Sequence, residues 1–231
     1  MFWFDPYYLI FMAPAFLLML AAQWYVSSAF KKWSRVPLQA NLSGAEAAER
    51  LIRYGGLYGV RVEAVRGTLT DHYDPRSKVL RLSPQVYQGR SVASVAVAAH
   101  ELGHALQDQE GYAPLKLRSM MVPAVNIGSY LGWILIFIGL ILNYLQLAVV
   151  GLVVFSLGAL FALVTLPVEL NASARAKRLL RETGIVQTEE EAVGVNRVLN
   201  AAALTYVAAL VTALLQVMYY AMLIFGGRRR R

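Results

Sequence analysis

The sequence predicts a mainly α-helical membrane protein, with about four transmembrane helices and a small α+β domain that contains a short antiparallel sheet. Its composition is the first reason: 58% of the 231 residues are hydrophobic, 16% are charged, and the mean hydropathy is +0.48. An ordinary soluble domain is less apolar. The second reason is four apolar stretches that approach or exceed the ~20 residues needed to cross a bilayer. The third is a segment of mixed polarity between the first two stretches, long enough for a compact domain.

The four predicted spans cover residues 7–30, 122–142, 147–166 and 201–225. Asp5 stands near the amino terminus where a cleavable signal peptide would carry basic residues, so the first span is interpreted as an uncleaved anchor. Only residues 143–146 separate the second span from the third. So short a connection predicts an antiparallel helical hairpin.

The distribution of basic residues predicts the orientation in the membrane. Thirteen of the 22 Lys and Arg residues lie in 31–118 and five lie in 175–197, on one side of the membrane if the three preceding spans all cross. The positive-inside rule places that side in the cytoplasm. The four arginines at 228–231 conflict with this, because a fourth crossing would put them outside. A net charge of +8 with no nucleic-acid motif indicates contact with the bilayer and its anionic lipids, and no nucleic-acid partner.

Within the segment of mixed polarity, Ser43 and Glu46 have the spacing of a capping box, and they predict a helix that ends at Gly55. Three runs with a period near two, at 60–65, 68–73 and 78–82, predict short strands. The free edge of such a sheet can hold an extended peptide by strand addition. The alternative is that the sheet only covers the helix that follows it.

The most informative motif is His-Glu-x-x-His, at His100, Glu101 and His104. Residues four apart lie on the same face of a helix, so both imidazoles can reach one metal ion while Glu101 lies beside a water on that ion. This is the zincin arrangement, in which two histidines bind Zn²⁺ and the glutamate is the general base. Residues 91–107 contain no proline, and Ser91 is a suitable N-cap for the helix.

A catalytic zinc needs a third protein ligand and an open position for water. The chain has no cysteine, so the choice lies between His72, which is the third histidine, and an acidic residue. Glu169 follows the third span directly, and a carboxylate at the edge of a membrane is costly unless it is paired or coordinating. The residues favour Glu169 over His72. Pro167 suits the first turn of a new helix, which would place Glu169 near the start of that helix.

Five segments carry a specific resemblance to a known family: GTLTDHYDPR at 67–76, KVLRLS at 78–83, AAHELGHALQ at 98–107, LPVELNAS at 166–173 and AAALTYVAA at 201–209. Over nearly its whole length the chain resembles the YugP-type neutral zinc metallopeptidases of bacteria. It is more remotely similar to the HtpX and CAAX-prenyl membrane proteases. The resemblance implies a gluzincin-type site with Glu169 as the third ligand.

Two positions differ from these families' patterns: Asn171 and Ser173 stand where an aspartate is usual. The carboxylate that commonly orients a ligating histidine is therefore expected elsewhere, at Asp71 or Asp74. His72 is then a candidate donor to the oxyanion of the transition state. Its alternative role is that of a strand histidine bonded to Asp74.

The function predicted from the sequence is zinc-dependent hydrolysis of peptide bonds in membrane proteins or membrane-proximal peptides, with Glu101 and His72 as catalytic residues. The alternative is a non-enzymatic membrane protein with a structural metal site. The predicted organisation is an anchor (1–30), a catalytic domain (31–121), a hairpin (122–166), a segment with the Glu169 helix and a connecting helix (167–200), and a last span with a basic tail (201–231).

Overall fold

The computed structural model describes residues 6–226. Asp5 and the arginines at 228–231, on which the anchor assignment and the conflict over orientation partly rest, lie outside these residues. Within them the chain forms, in order, α1 (Pro6–Trp33), α2 (Gly44–Tyr54), β1 (Arg61–Ala64), β2 (His72–Asp74), β3 (Val79–Leu82), α3 (Pro84–Gln88), α4 (Val92–Gln109), α5 (Ala113–Ile141), α6 (Leu145–Glu182) and α7 (Glu189–Gly226). The fold is mainly helical with one small sheet, as predicted.

Four of the described helices, α1, α5, α6 and α7, are long and apolar enough to cross a membrane. The predicted spans fall within these helices, apart from the last residue of the second. Three residues separate α5 from α6, as the predicted hairpin requires. These features are those of a multi-pass membrane protein.

Helix α6 corrects one prediction. No new helix begins at Pro167, because α6 runs without a break from Leu145 to Glu182 with the proline inside it. Proline removes one backbone hydrogen bond, and membrane helices tolerate this where neighbouring groups compensate. Pro14 in α1 and Pro123 in α5 also lie inside apolar helices. Glu169 therefore lies well inside a long helix and not in its first turn.

The described chain divides into two compact units, and the first contains residues 6–23, 116–167 and 205–226. Its helices α5 and α6 cross closely at Gly132, where an added Cβ would lie 2.5 Å from the backbone nitrogen of Phe155. Small residues that let backbones approach are the usual packing device of membrane helices. Around this crossing Ile136, Ala148 and Ile224 form a small buried cluster.

The second unit contains residues 24–115 and 168–204 and holds the larger core. Helix α4 runs through this core, with Ala98, Ala99 and Leu102 fully buried. Helix α2, the sheet and the second half of α6 supply other core residues, among them Leu51, Leu80 and Leu180. The predicted capping box of α2 is present, since Ser43 and Glu46 each accept a hydrogen bond from the other's backbone N–H.

The sheet differs from the antiparallel one that was predicted. Its strand order is β1-β3-β2, with β2 antiparallel to β3 and β1 parallel to β3. The physical reason is the loop 65–71, which passes the end of β3 in place of a tight hairpin turn. Strands β1 and β2 therefore lie on opposite sides of β3. The predicted second strand is also displaced, because regular pairing begins only at His72.

The start of α7 is held by a buried carboxylate. The side chain of Glu191 is 2% exposed and accepts hydrogen bonds from the backbone N–H groups of Gln39, Gln187 and Thr188. The hydroxyl oxygen of Thr188 in turn accepts a hydrogen bond from the backbone N–H of Glu191, which completes a capping box. This contact ties the segment that follows α1 to the start of α7 within the second unit.

Candidate metal centre

Helix α4 presents the His-Glu-x-x-His motif because of where it begins and what it buries. Ser91 caps it by accepting a hydrogen bond from the N–H of Ser94, so the helix starts one residue later, at Val92. Its buried faces include small residues such as Ala98, Ala99 and Gly103, which let other elements approach closely. The motif lies in the third and fourth turns, where His100 and His104 are both part-exposed on one side.

Within residues 6–226, His100, His104 and Glu169 form a group whose ligand atoms all lie within 4.8 Å of one another. One carboxylate oxygen of Glu169 is 3.2 Å from Nε2 of His100 and 3.5 Å from Nε2 of His104. The three side chains are only 12%, 12% and 3% exposed. Three ligand atoms thus converge in a nearly enclosed position.

The spacing fits zinc. Zinc–nitrogen and zinc–oxygen bonds are about 2.0–2.2 Å long, so two ligands of a tetrahedral zinc are about 3.3–3.5 Å apart. The observed separations of 3.2 and 3.5 Å are within about 0.1 Å of that range. Two imidazoles and one carboxylate are also the ligand set of a catalytic zinc, which leaves the fourth position for water.

The charges of the centre favour a cation. Burial acts to lower the pKa of the His104 imidazole, but the hydrogen bond to Glu169 and the charges of Glu101 and Glu169 outweigh it, and the pKa is raised. Two carboxylates thus face two imidazoles in a partly closed space. A divalent cation satisfies that charge distribution.

Gly103 is what lets the two ligand-bearing helices meet. A Cβ on Gly103 would lie 2.4 Å from the backbone oxygen of Ala172 and 3.0 Å from its Cα. A rigid backbone cannot yield as a flexible side chain can. The approach of α4 to α6, and with it the distance from the two histidines to Glu169, therefore depends on the absence of a side chain at this position.

We expect Gly103→Ala to weaken zinc binding and to lower stability by about 1–3 kcal/mol, the usual cost of overpacking. The reason is that α6 must move away from α4, which separates Glu169 from the histidines. Chelator competition and thermal unfolding measure the two effects. Gly158→Ala is the matched control, since a Cβ at this helical glycine meets nothing closer than 3.7 Å. Unchanged zinc affinity in Gly103→Ala would show that the spacing of the helices does not set the site.

Each histidine is bonded on its far side to a neutral group. Nδ1 of His100 is 3.1 Å from the hydroxyl of Ser173, and Nδ1 of His104 is 3.0 Å from the side-chain oxygen of Gln107. Neither partner was predicted, although each could have been found from helical spacing: Gln107 is three residues after His104, and Ser173 is four after Glu169. This spacing was not used because a carboxylate was expected as the hydrogen-bond partner of the histidines.

The expectation that Asp71 or Asp74 orients a ligand is wrong. Asp71 accepts hydrogen bonds from the backbone and the hydroxyl of Ser83, and burial raises the pKa of its carboxyl. Asp74 binds Ser77 and Arg81 at the turn between β2 and β3. Both carboxylates stabilise the sheet, since Asp71 binds the residue that follows β3 and Asp74 binds β3 and the turn before it.

Glu101 is anchored from the sheet. One of its carboxylate oxygens accepts a hydrogen bond of 3.1 Å from the backbone N–H of Tyr73 in β2. The hydroxyl of Tyr73 donates to Asp108, two turns further along α4, at 2.9 Å. Burial raises the pKa of the Glu101 carboxyl, more than the neighbouring imidazoles lower it. A raised pKa suits a group that takes up and releases protons near neutrality.

His72 is not among the three grouped ligands. It pairs with Arg81 in the sheet, whereas Tyr73 pairs with Leu80 on the face toward the core, so His72 lies on the outer face and is exposed. Its Nδ1 is 2.8 Å from the carbonyl oxygen of Thr70. A carbonyl only accepts, so Nδ1 carries the proton, and the Nε2 of a neutral His72 cannot donate. The oxyanion role predicted for His72 would require its charged form.

The fold and this centre define a class: a multi-pass membrane protein in which a His-Glu-x-x-His helix and a glutamate from a second helix can bind zinc. The chain belongs to the family described as "Putative neutral zinc metallopeptidase", whose model matches residues 8–225. It is 48% identical to the "Putative membrane protease YugP" of Bacillus subtilis (strain 168), over 90% of this chain and 92% of that protein. No solved structure matches the chain.

Proposed function

We propose that this protein is a membrane-embedded zinc endopeptidase with a gluzincin-like catalytic domain. The observation that carries the proposal is the convergence of Glu169 on Nε2 of both motif histidines, which gives three of the four ligands of a tetrahedral set. Membership in a zinc metallopeptidase family supports it. A structural zinc site would instead be closed by a fourth protein ligand, and the group found among the described residues has three members.

Zinc at this centre would supply Lewis acidity and make water a better nucleophile near neutral pH. His100, His104 and Glu169 would hold it. Glu101, which is one residue after a ligand but not a ligand itself, takes the proton from the attacking water and passes it to the leaving amine. The Tyr73 N–H holds one oxygen of Glu101 in place, so the carboxylate is already oriented when a substrate arrives.

The edge of β2 is a suitable place for the substrate. β2 is an outer strand of the sheet, and its Tyr73 N–H points away from β3 toward Glu101. An extended peptide that lay along this edge would therefore pass beside the general base, and it would pair with backbone groups other than the Tyr73 N–H, which Glu101 occupies. Membrane-proximal segments of membrane proteins are the proposed substrates, because the ligand Glu169 comes only three residues after the apolar stretch 147–166.

Removal of the metal tests the proposed function. Purified protein in detergent or vesicles should cleave a casein-like or membrane-embedded test substrate, lose this activity on treatment with a zinc chelator, and regain it with about one equivalent of zinc per chain. Thermal unfolding measured on the same samples separates loss of activity from loss of fold. A protein that binds zinc and is stabilised by it, but cleaves neither kind of substrate, would indicate the structural alternative.

The cytoplasmic location of the catalytic domain remains a proposal that rests on charge. Glu49 and Glu190 are suitable probe positions, because both side chains are exposed in the second unit. In this cysteine-free chain, single cysteines at 49 and 190 should be protected from an impermeant thiol reagent in intact cells and labelled after permeabilisation. Labelling of either cysteine in intact cells would reverse the assigned orientation.

A further inference from the structure

Gln107 connects the second histidine of the motif to the helix that carries Glu169. It is fully buried. Its side-chain oxygen is 3.0 Å from Nδ1 of His104, and its nitrogen donates to the backbone carbonyl of Val168 at 2.8 Å and to the side-chain oxygen of Asn171 at 2.9 Å. Val168 and Asn171 lie on either side of Glu169 in α6. One side chain thus touches two parts of the ligand set.

The orientation of the Gln107 amide is determined by its partners. The carbonyl of Val168 can only accept a hydrogen bond, so the group that faces it must be the NH₂. The Asn171 atom is also an acceptor, because Nε of Arg175, which can only donate, lies 2.7 Å from it. Arg175 is itself fixed by two hydrogen bonds, of 2.6 and 2.7 Å, to Glu110. Both partners on α6 therefore require the nitrogen of Gln107, and its oxygen must face His104.

The orientation of this amide decides the state of the histidine. An amide oxygen is only an acceptor, so Nδ1 of His104 must carry a proton. The lone pair of a neutral His104 is then on Nε2, the nitrogen that faces Glu169 and the centre of the site. We propose that Gln107 is a positioning residue that holds His104 in the Nδ1–H tautomer for zinc and ties this ligand to the helix of the third ligand.

Ser173 does not impose the same constraint on His100. A hydroxyl can donate or accept, so its 3.1 Å contact with Nδ1 is compatible with either tautomer. The two histidines are therefore unequal: the protein dictates the ring state of His104 and adapts to that of His100. In many zinc sites a carboxylate accepts the hydrogen bond from the second nitrogen of a ligating histidine. Here a neutral amide takes that place, so the buried centre has one negative charge fewer.

The inference rests on the proposed zinc site, and its test uses Zn²⁺ alone, without a peptide substrate. Gln107→Met keeps a similar volume but offers Nδ1–H only a weak thioether acceptor. We expect it to weaken zinc binding about 10–100-fold, the usual cost of losing such an outer partner. Gln107→Glu retains the acceptor and, when protonated, a donor to Val168, so its loss of affinity should stay below about tenfold. Gln109→Met is the matched control, because Gln109 lies on the same helix with only a 3.5 Å contact to Gly56.

NMR of the imidazole nitrogens tests the tautomer directly. The chain has only three histidines, so protein labelled with ¹⁵N-histidine and loaded with zinc gives signals from three imidazole rings. His72→Ala identifies one, and Gln107→Glu should shift the signal of His104 alone. In the wild type, Nδ1 of His104 should show a bound proton that exchanges slowly with water. This result does not depend on whether Gln107→Met folds.

Three outcomes would overturn the inference: an unprotonated Nδ1 on zinc-loaded His104, wild-type zinc affinity in Gln107→Met, or equal losses in the Met and Glu variants. The last would mean that Gln107 only joins the helices. The proposed function fails separately. A chain with the expected ring state and affinities that hydrolyses no peptide would refute the peptidase and leave the role of Gln107 intact. A chain that cleaves peptides but loses no zinc affinity in Gln107→Met would refute only the role of Gln107.

Discussion

Glu101→Gln should abolish nearly all proteolysis while zinc remains bound and the fold intact. Removal of a general base typically costs about 10²–10⁴-fold in rate, which is about 3–5 kcal/mol of transition-state stabilisation. The substitution is conservative here, because the amide oxygen of Gln can still accept the hydrogen bond from the Tyr73 N–H. What it removes is the ability to take a proton from water.

The comparison needs zinc content, thermal unfolding and turnover on the same preparations of wild type and variant. Glu49→Gln is a suitable control, since it makes the same chemical change at an exposed position on α2. Near wild-type proteolysis by zinc-loaded Glu101→Gln would exclude Glu101 as the general base. Loss of zinc in this variant would instead mean that Glu101 belongs to the metal site, and the ligand role proposed for Glu169 would need revision.

The second large expected effect is the loss of zinc when Glu169, the proposed third ligand, is replaced. Glu169→Gln should lose zinc and activity together, since a buried amide is a poor substitute for a carboxylate at a metal. The loss of affinity should exceed the roughly 10–100-fold that removal of an outer partner costs. His104→Ala should behave in the same way. His72→Ala should keep its zinc, because His72 lies on the outer face of the sheet with its Nδ1 bonded to Thr70.

Metal analysis of the purified variants, with chelator competition for those that retain zinc, distinguishes the two candidates for the third ligand. Zinc lost from His72→Ala and retained by Glu169→Gln would move the ligand to the sheet. The turnover of zinc-loaded His72→Ala tests whether His72 acts on the oxyanion of the transition state. A large fall would mean that His72 acts on the oxyanion as an imidazolium, whereas a small change would leave it as a strand residue.

The sequence by itself determined the features that depend on neighbours along the chain. Four spans follow from the length and apolarity of four stretches, because the bilayer sets a minimum helix length. The face shared by His100, Glu101 and His104 follows from the pitch of an α-helix. The caps at Ser43, Ser91 and Thr188 follow from side chains that reach a backbone N–H three residues away. Each of these needs only local geometry.

Tertiary structure alone decided what depends on packing between distant segments. Glu169 meets His100 across 69 positions of the chain, and the contact exists because Gly103 lets α4 lie against the backbone of Ala172. The contact of Ser173 with His100 and the bonds from Gln107 to Val168 and Asn171 depend on that same approach.

The two errors that concern the fold have the same physical origin. Pro167 favours the start of a helix, and the loop 65–71 connects two predicted strands that a hairpin would have paired. In the structure α6 passes through the proline, and β3 lies between β1 and β2. Local preferences amount to about 1–3 kcal/mol each, and packing across a buried core outweighs them. The spans and the motif could therefore be predicted from the sequence. The approach of Glu169 to the two histidines depended on how the second unit packs.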